Sequence, residues 1–336
     1  MADSGIFFLS DMNPHPERLS GGFVATPNRR RLRYAISRPV GQSRGTTIIF
    51  PGRNEYLEKY FETMADLNKR GFTALIFDWR GQGGSDRILR NPAKGHIGKL
   101  DEYFADFEMI FKNVALPDCP RPYSILAHSL GGLVALRFMP RLVSRVERLV
   151  CSAPLIAIPG SPRRQGLLAF LVASLRYSGL GRLPFRRLNR TGADWNVATN
   201  PLTSDPHRFE RNRQMSLQAP HLGVSMLTAG WLHASFRAMR KLRNSDVIAT
   251  MHLPTLFVLA GADTVVDTAA AEKLAWRMRS GHSLTIPYAR HELLQEKDEY
   301  REQLLAAYEG FVESSMPLIS YETAGLEPEN LPEPTV

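Results

Sequence analysis

The stretch PYSILAHSLGGLVALRFMPRL, residues 122–142, decides how this chain is read. An apolar run of Tyr123, Ile125, Leu126 and Ala127 stops at His128-Ser129, and a helical spacing of Leu130, Val134, Leu136, Phe138 and Met139 begins at once. The pattern predicts a strand, a tight turn and a helix, with Ser129 on the turn. Small residues flank the serine, Ala127 two before it and Gly131 two after, as a G-x-S-x-G elbow needs where the backbone doubles back. A serine so placed stands clear of the sheet, and the free amides at the start of the helix face any oxyanion that develops beside it.

Outward from the elbow, Thr46 to Phe50 has β-branched density and no polar alternation, which predicts a strand buried on both faces. It ends in Pro51-Gly52-Arg53-Asn54-Glu55. A helix over Tyr56, Tyr60, Phe61, Met64 and Leu67 follows, closed by Gly71. The next strand, Phe72 to Phe77, runs into Asp78-Trp79-Arg80-Gly81-Gln82-Gly83-Gly84-Ser85. Asp86 stands where a G-x-G-x-x-G phosphate cradle starting at Gly81 would need its last glycine, so these residues read as a sharp turn beside the site. A helix from about Asp101 to Val114 leads to the elbow strand, and Glu147 to Ala153 supplies another buried strand. Upstream, FVAT and LRYAIS flank Pro27-Asn28 and predict a hairpin; residues 1–20 read as a loosely held arm. Alternating strands and helices imply parallel βαβ units. The expected fold class is α/β, a mostly parallel doubly wound sheet.

The rhythm breaks after Pro154 and resumes with a strand at Leu253 to Ala260, a helix from about Ala269, a strand at Ser283 to Pro287 and a final helix, about Asp298 to Glu313. The core is therefore expected over 21–154 and 246–316, with a helical cap inserted at 155–245 over the carboxyl ends of the strands. Residues 317–336, rich in Pro and Glu, read as a disordered tail.

The 42 Lys and Arg against 33 Asp and Glu give a net charge of +9, which favours anionic surroundings. The motifs of nucleic-acid modules are absent, so a phospholipid surface or an anionic substrate is the expected partner. Two cysteines, Cys119 and Cys151, make neither a disulfide framework nor a metal site, and no secretory leader or spanning segment is read. A cytoplasmic protein, at most peripheral on a membrane surface, is expected, with no metal and no cofactor; the oligomeric state is open.

A serine hydroxyl needs a base to take its proton and a carboxylate to orient that base. In elbow enzymes of this kind the chain order is Ser, acid, His. Asp263 follows the Leu253 to Ala260 strand, and His291 follows the strand ending at Pro287, both at carboxyl ends where ligand groups gather. Asp267 is the other acid on that loop, and it also suits the cap of the next helix. Of nine histidines, His291 alone lies late in the chain on such a loop; His128, beside the serine, is expected to point elsewhere. The backbone amides of Leu130 and Arg53 are the expected oxyanion donors, and Trp231 in the cap is a candidate substrate-binding residue.

With these residues placed, the chain resembles the α/β-hydrolase superfamily, in its monoglyceride lipase and bacterial lysophospholipase branch. The text that carries the likeness is PGRNEYLEKY (51–60), FDWRGQGGSDR (77–87), KGHIGKLDEYFADF (94–107), ILAHSLGG (125–132), NPLTSD (200–205), GADTVVD (261–267) and ARHELLQEKD (289–298). Pro51 departs from the His of many relatives, and Ala127 from the first Gly of the elbow. The resemblance implies a serine esterase acting on monoacyl lipids, with Ser129 as nucleophile, Asp263 as acid and His291 as base. Thioester, amide or acyl-transfer chemistry on the same residues, and a non-catalytic binding protein on this fold, are the alternatives. In the cap, the apolar segment Gly166 to Leu175 borders a run with seven Arg and no acid between Gly160 and Thr191. It suits either docking on an anionic lipid interface or packing onto the core.

Overall fold

A computed structural model describes residues 5–187 and 196–313. Eight strands form the main sheet: β1 (Leu19–Ala25), β2 (Arg31–Ser37), β3 (Thr46–Phe50), β4 (Thr73–Phe77), β6 (Tyr123–His128), β7 (Arg148–Ser152), β10 (Thr255–Ala260) and β11 (Gly281–Ile286). The numbering leaves room for three short strands outside it, β5 (Lys94–Gly95), β8 (Pro184–Arg187) and β9 (Met226–Thr228). The order across the main sheet is β1-β2-β4-β3-β6-β7-β10-β11. β1 pairs antiparallel with β2, and β2 with β4. The remaining pairs are parallel, so the carboxyl ends of β3, β6, β10 and β11 point the same way.

The continuous apolar runs have a simple cause. Ile48 and Phe50 of β3 and Ile125 and Ala127 of β6 face one cluster, with Phe77, Trp79, Phe107 and Leu133. Their neighbours Ile49 and Leu126 face another, with Phe61, Met64, Leu304 and Tyr308. Helices cover both faces, so positions along these strands are buried on either side, mostly apolar, and the polar ones need a partner inside. The Tyr308 hydroxyl is satisfied inside the second cluster by Thr47 Oγ1 at 2.5 Å and Ser124 Oγ at 2.7 Å.

Two expectations need amending. The arm is not loose over its described part: Phe7 packs edge-on against Phe61, Phe8 donates its amide to Glu58, and Arg33 donates to the carbonyl of Ile6. The inserted segment, besides helices at Pro162–Leu175, Pro206–Gln218 and Ala229–Lys241, contributes β8 and β9 to a small sheet. There β9 pairs antiparallel with β8 and parallel with β5, which belongs to the loop after β4. The segment expected as a disordered tail lies outside the described residues.

Candidate active site

Ser129 sits between β6 and the helix Leu130–Arg137 with φ 49° and ψ −108°, a strained conformation for a residue with a side chain. Neighbouring backbone holds it there. Its amide donates to Ser152 at 3.1 Å, and its carbonyl accepts from Leu155 at 3.0 Å and Leu133 at 3.2 Å. The small residues of the elbow are explained by close approach: a Cβ on Gly131 would meet the carbonyl oxygen of Phe50 at 2.2 Å, and one on Gly132 would meet Pro154 at 2.6 Å.

The structure brings the three separated side chains together. His291 Nε2 lies 3.1 Å from Ser129 Oγ, and its Nδ1 lies 2.7 Å from Asp263 Oδ2. A carboxylate accepts only, so Nδ1 carries the hydrogen and the Nε2 lone pair faces the serine hydroxyl. The other Asp263 oxygen accepts the amides of Val265 at 2.7 Å and Val266 at 3.0 Å. Burial opposes ionisation of this carboxyl, but the His291 contact and the two amides outweigh it and hold it below the usual carboxylate range. Asp267 is occupied elsewhere, capping the helix Thr268–Arg277 through the amide of Ala270.

The loop carrying His291 is fastened to residues 197–203, within the span expected as a cap. Glu292 donates its amide to Leu202 at 2.8 Å. The Arg290 guanidinium gathers the carbonyls of Val197, Asn200 and Thr203 at 2.7 to 2.9 Å. The amides of Leu130 and Arg53 donate to no other group among the described residues. That of Leu130 is the first of its helix, where no intrahelical acceptor exists. That of Arg53 belongs to a loop braced on both sides.

His128 departs from expectation. It lies against His291, with ring centroids 4.9 Å apart, and lines the same cavity. Its Nδ1 is 3.1 Å from the carbonyl of Ser152, and burial holds its pKa below the usual imidazole value. It is therefore neutral and adds no charge beside His291. A buried polar cluster lies behind it. Glu55 accepts the amide of Gly52 at 2.5 Å, the hydroxyl of Tyr60 at 2.6 Å and the ammonium of Lys59 at 2.9 Å. Lys59 also reaches Glu292 at 2.6 Å, so one ammonium joins the loop after β3 to the residue beside the base. Burial disfavours the Glu55 charge, yet the Lys59 ammonium and the Tyr60 hydroxyl hold it down at about 2. The i, i+4 spacing of Glu55 and Lys59 was the available signal for this cluster; its contact with Glu292 had none.

These groups line a cavity of about 180 Å³ that includes Ser129, His291, Arg53, Tyr56 and Phe209. Trp231 is 4% exposed and donates its indole N–H to Tyr103 at 3.1 Å. It meets the cavity through Arg53, whose guanidinium carbon lies 6.0 Å from its ring.

Residues 41–298 match the Hydrolase_4 family, described as serine aminopeptidase, S33. The lysophospholipase L2 of Escherichia coli K12 is 32% identical over 284 residues, 79% of each chain. The probable lysophospholipase L2 of Haemophilus influenzae is 28% identical over 310 residues, 91% of this chain and 96% of that one. In fold, a soluble variant of Saccharomyces cerevisiae monoglyceride lipase, solved with a substrate analog, superposes with a TM-score of 0.72 at 18% identity, over 91% of this chain and 97% of that one. The family match over residues 41–298 and the 32% identity to the Escherichia coli relative, on a mostly parallel sheet with a strained serine at the end of β6, place this chain in the Hydrolase_4 family of α/β hydrolases.

Proposed function

We propose that the chain is a serine esterase that cleaves the carboxylic ester of a monoacyl lipid, a lysophospholipid or a monoacylglycerol, through an acyl-enzyme. The observation that carries this reading is the continuous hydrogen-bonded line from Ser129 through His291 to Asp263. As Ser129 Oγ attacks the acyl carbon, its proton passes to His291 Nε2, and Asp263 stabilises the imidazolium. The amides of Arg53 and Leu130 receive the oxyanion, and the alcohol leaves with the proton from Nε2. Water then repeats the sequence on the acyl-enzyme. The cavity is smaller than the roughly 300–1,000 Å³ of drug-sized sites, so it suits the polar end of the substrate while the acyl chain runs out past the cap. Aminopeptidase chemistry is less well served, because an α-ammonium needs a free carboxylate and the cavity's Glu55 and Glu292 are both engaged by Lys59.

The test is hydrolysis of short p-nitrophenyl esters with and without Ser129→Ala, together with fluorophosphonate labelling. Activity and labelling restricted to the unsubstituted protein are expected. Equal rates, or label on another residue, would refute the reading.

The helix Pro162–Leu175 supports contact with an anionic lipid surface. Leu167 is 70% exposed and Phe170 72%, and Arg163 and Arg164 beside them are exposed too. Of the two readings of this segment, packing onto the core leaves these side chains unaccounted for. Co-sedimentation with anionic vesicles that weakens as salt rises is expected; binding indifferent to salt would remove the electrostatic part.

A further inference from the structure

We propose that the Arg53 guanidinium is the phosphate contact of this cavity, so that the monoacyl lipid it selects carries an anionic phosphate headgroup in place of a neutral glycerol. The proposal rests on the esterase reading for its substrate and on a separate observation for its charge. Arg53 Nη1 is shielded from solvent and has no hydrogen-bond partner. Several other arginines are matched by carboxylates: Arg33 by Glu58 and Asp78, each at 2.7 Å, Arg80 by Asp106 at 2.6 Å, and Arg211 by Glu62 at 2.6 Å, whereas Arg87 meets carbonyls alone. Arg53 has no such partner among the described residues. Its neighbours include the face of Trp231, which attracts a cation but accepts no in-plane N–H, Tyr103, whose hydroxyl already accepts from Gln82 and Trp231, and Glu55, whose oxygens are taken by Gly52, Tyr60 and Lys59. The other cation on the wall, Lys59, is neutralised from two sides by Glu55 and Glu292.

Burial brings the Arg53 guanidinium down to about 10, which still leaves it charged at neutral pH. Arg53 is half-buried as a residue, and its Nη1 is closed off from water with no acceptor, which is costly for a charged group. A ligand oxyanion is the group that would relieve it, and a guanidinium fork fits phosphate with two parallel hydrogen bonds. Its own backbone amide is an expected oxyanion donor, so a phosphate held by the side chain would sit within one residue's reach of the ester.

Binding to Ser129→Ala protein separates this proposal from the esterase reading, because binding requires no turnover. A monoacyl glycerophosphocholine and the monoacylglycerol of the same short chain are titrated calorimetrically. The phospholipid is expected to bind at least about tenfold tighter, and adding Arg53→Gln to lower that ratio by about ten- to a hundredfold, the range for a charge-assisted contact. Arg53→Lys is expected to retain part of the ratio. In the unsubstituted chain, glycerol 3-phosphate is expected to compete and glycerol is not, which holds even if a substituted chain folds poorly. Equal affinity for the two lipids, or an Arg53→Gln loss shared equally by both, would overturn the proposal. Phosphate-dependent binding without any ester hydrolysis would support it while removing the esterase reading.

Discussion

Trp79 donates its indole N–H to the carbonyl of Pro51 at 2.9 Å, tying the turn after β4 to the first residue of the loop after β3. Gln82, on the same turn, accepts the amide of Asn54 at 2.6 Å. Arg53 lies between the two anchored residues, so the direction of its amide is set by side chains from another loop. Gln82→Ala is expected to lower kcat on a p-nitrophenyl ester by about tenfold to a hundredfold with a smaller change in KM, because a misaimed donor is felt in the transition state. Steady-state kinetics check this, and an effect confined to KM would contradict it.

Asp263 and Asp267 share a loop and have different partners. Asp263→Asn is expected to reduce kcat by about 10⁴ with the fold retained, since the amide no longer fixes the Nδ1–H tautomer of His291. Asp267→Ala removes a helix cap and is expected to cost about 1 kcal/mol of stability without loss of kcat. Paired kinetics and thermal melts distinguish them; a reversed pattern would exchange the roles.

Two glycines should respond in opposite ways. At Gly131 a Cβ would meet backbone at 2.2 Å, and neither β3 nor the elbow can give way. Gly131→Ala is expected to cost more than about 3 kcal/mol or to prevent soluble expression. Gly166 lies inside a helix with nothing within 4 Å of its Cβ position, so Gly166→Ala should raise stability by up to about 1 kcal/mol. Differential scanning fluorimetry of both variants is sufficient.

The helix Pro206–Gln218 is clamped to the helix Phe61–Lys69 through Glu62, which meets Arg208 and Arg211 at 2.6 Å each. Burial alone would raise this carboxyl, but the arginines bring it to about 2. The folded state therefore binds this proton less tightly than the unfolded chain, whose value is about 4.3. The stabilisation is present above pH about 4 and is lost as pH falls toward 2, on the order of 1 kcal/mol once solvent screening of this partly exposed pair is discounted. Glu62→Gln should lower the melting temperature at pH 7 and flatten its decline between pH 5 and 2.5. An unchanged slope would show that Glu62 does not carry it.

Much of this molecule was written locally. The apolar runs of β3, β4, β6 and β10 mark strands covered on both faces, and Ala127, Ser129 and Gly131 mark a turn tight enough to need small neighbours. The chain order of Ser129, Asp263 and His291, each just beyond a strand's carboxyl end, is also legible, because parallel strands deliver those ends to one edge. Other features depend on distances between segments far apart in sequence. Nothing near His128 says that its ring will lie against His291, and nothing near Lys59 says that it will also reach Glu292. The exposed face of Leu167 and Phe170 likewise reads in sequence as either core or surface. Hydrophobic periodicity records which side chains leave water, but a partner for a buried charge is settled only when loops from β3, β4 and β11 meet the cap in three dimensions.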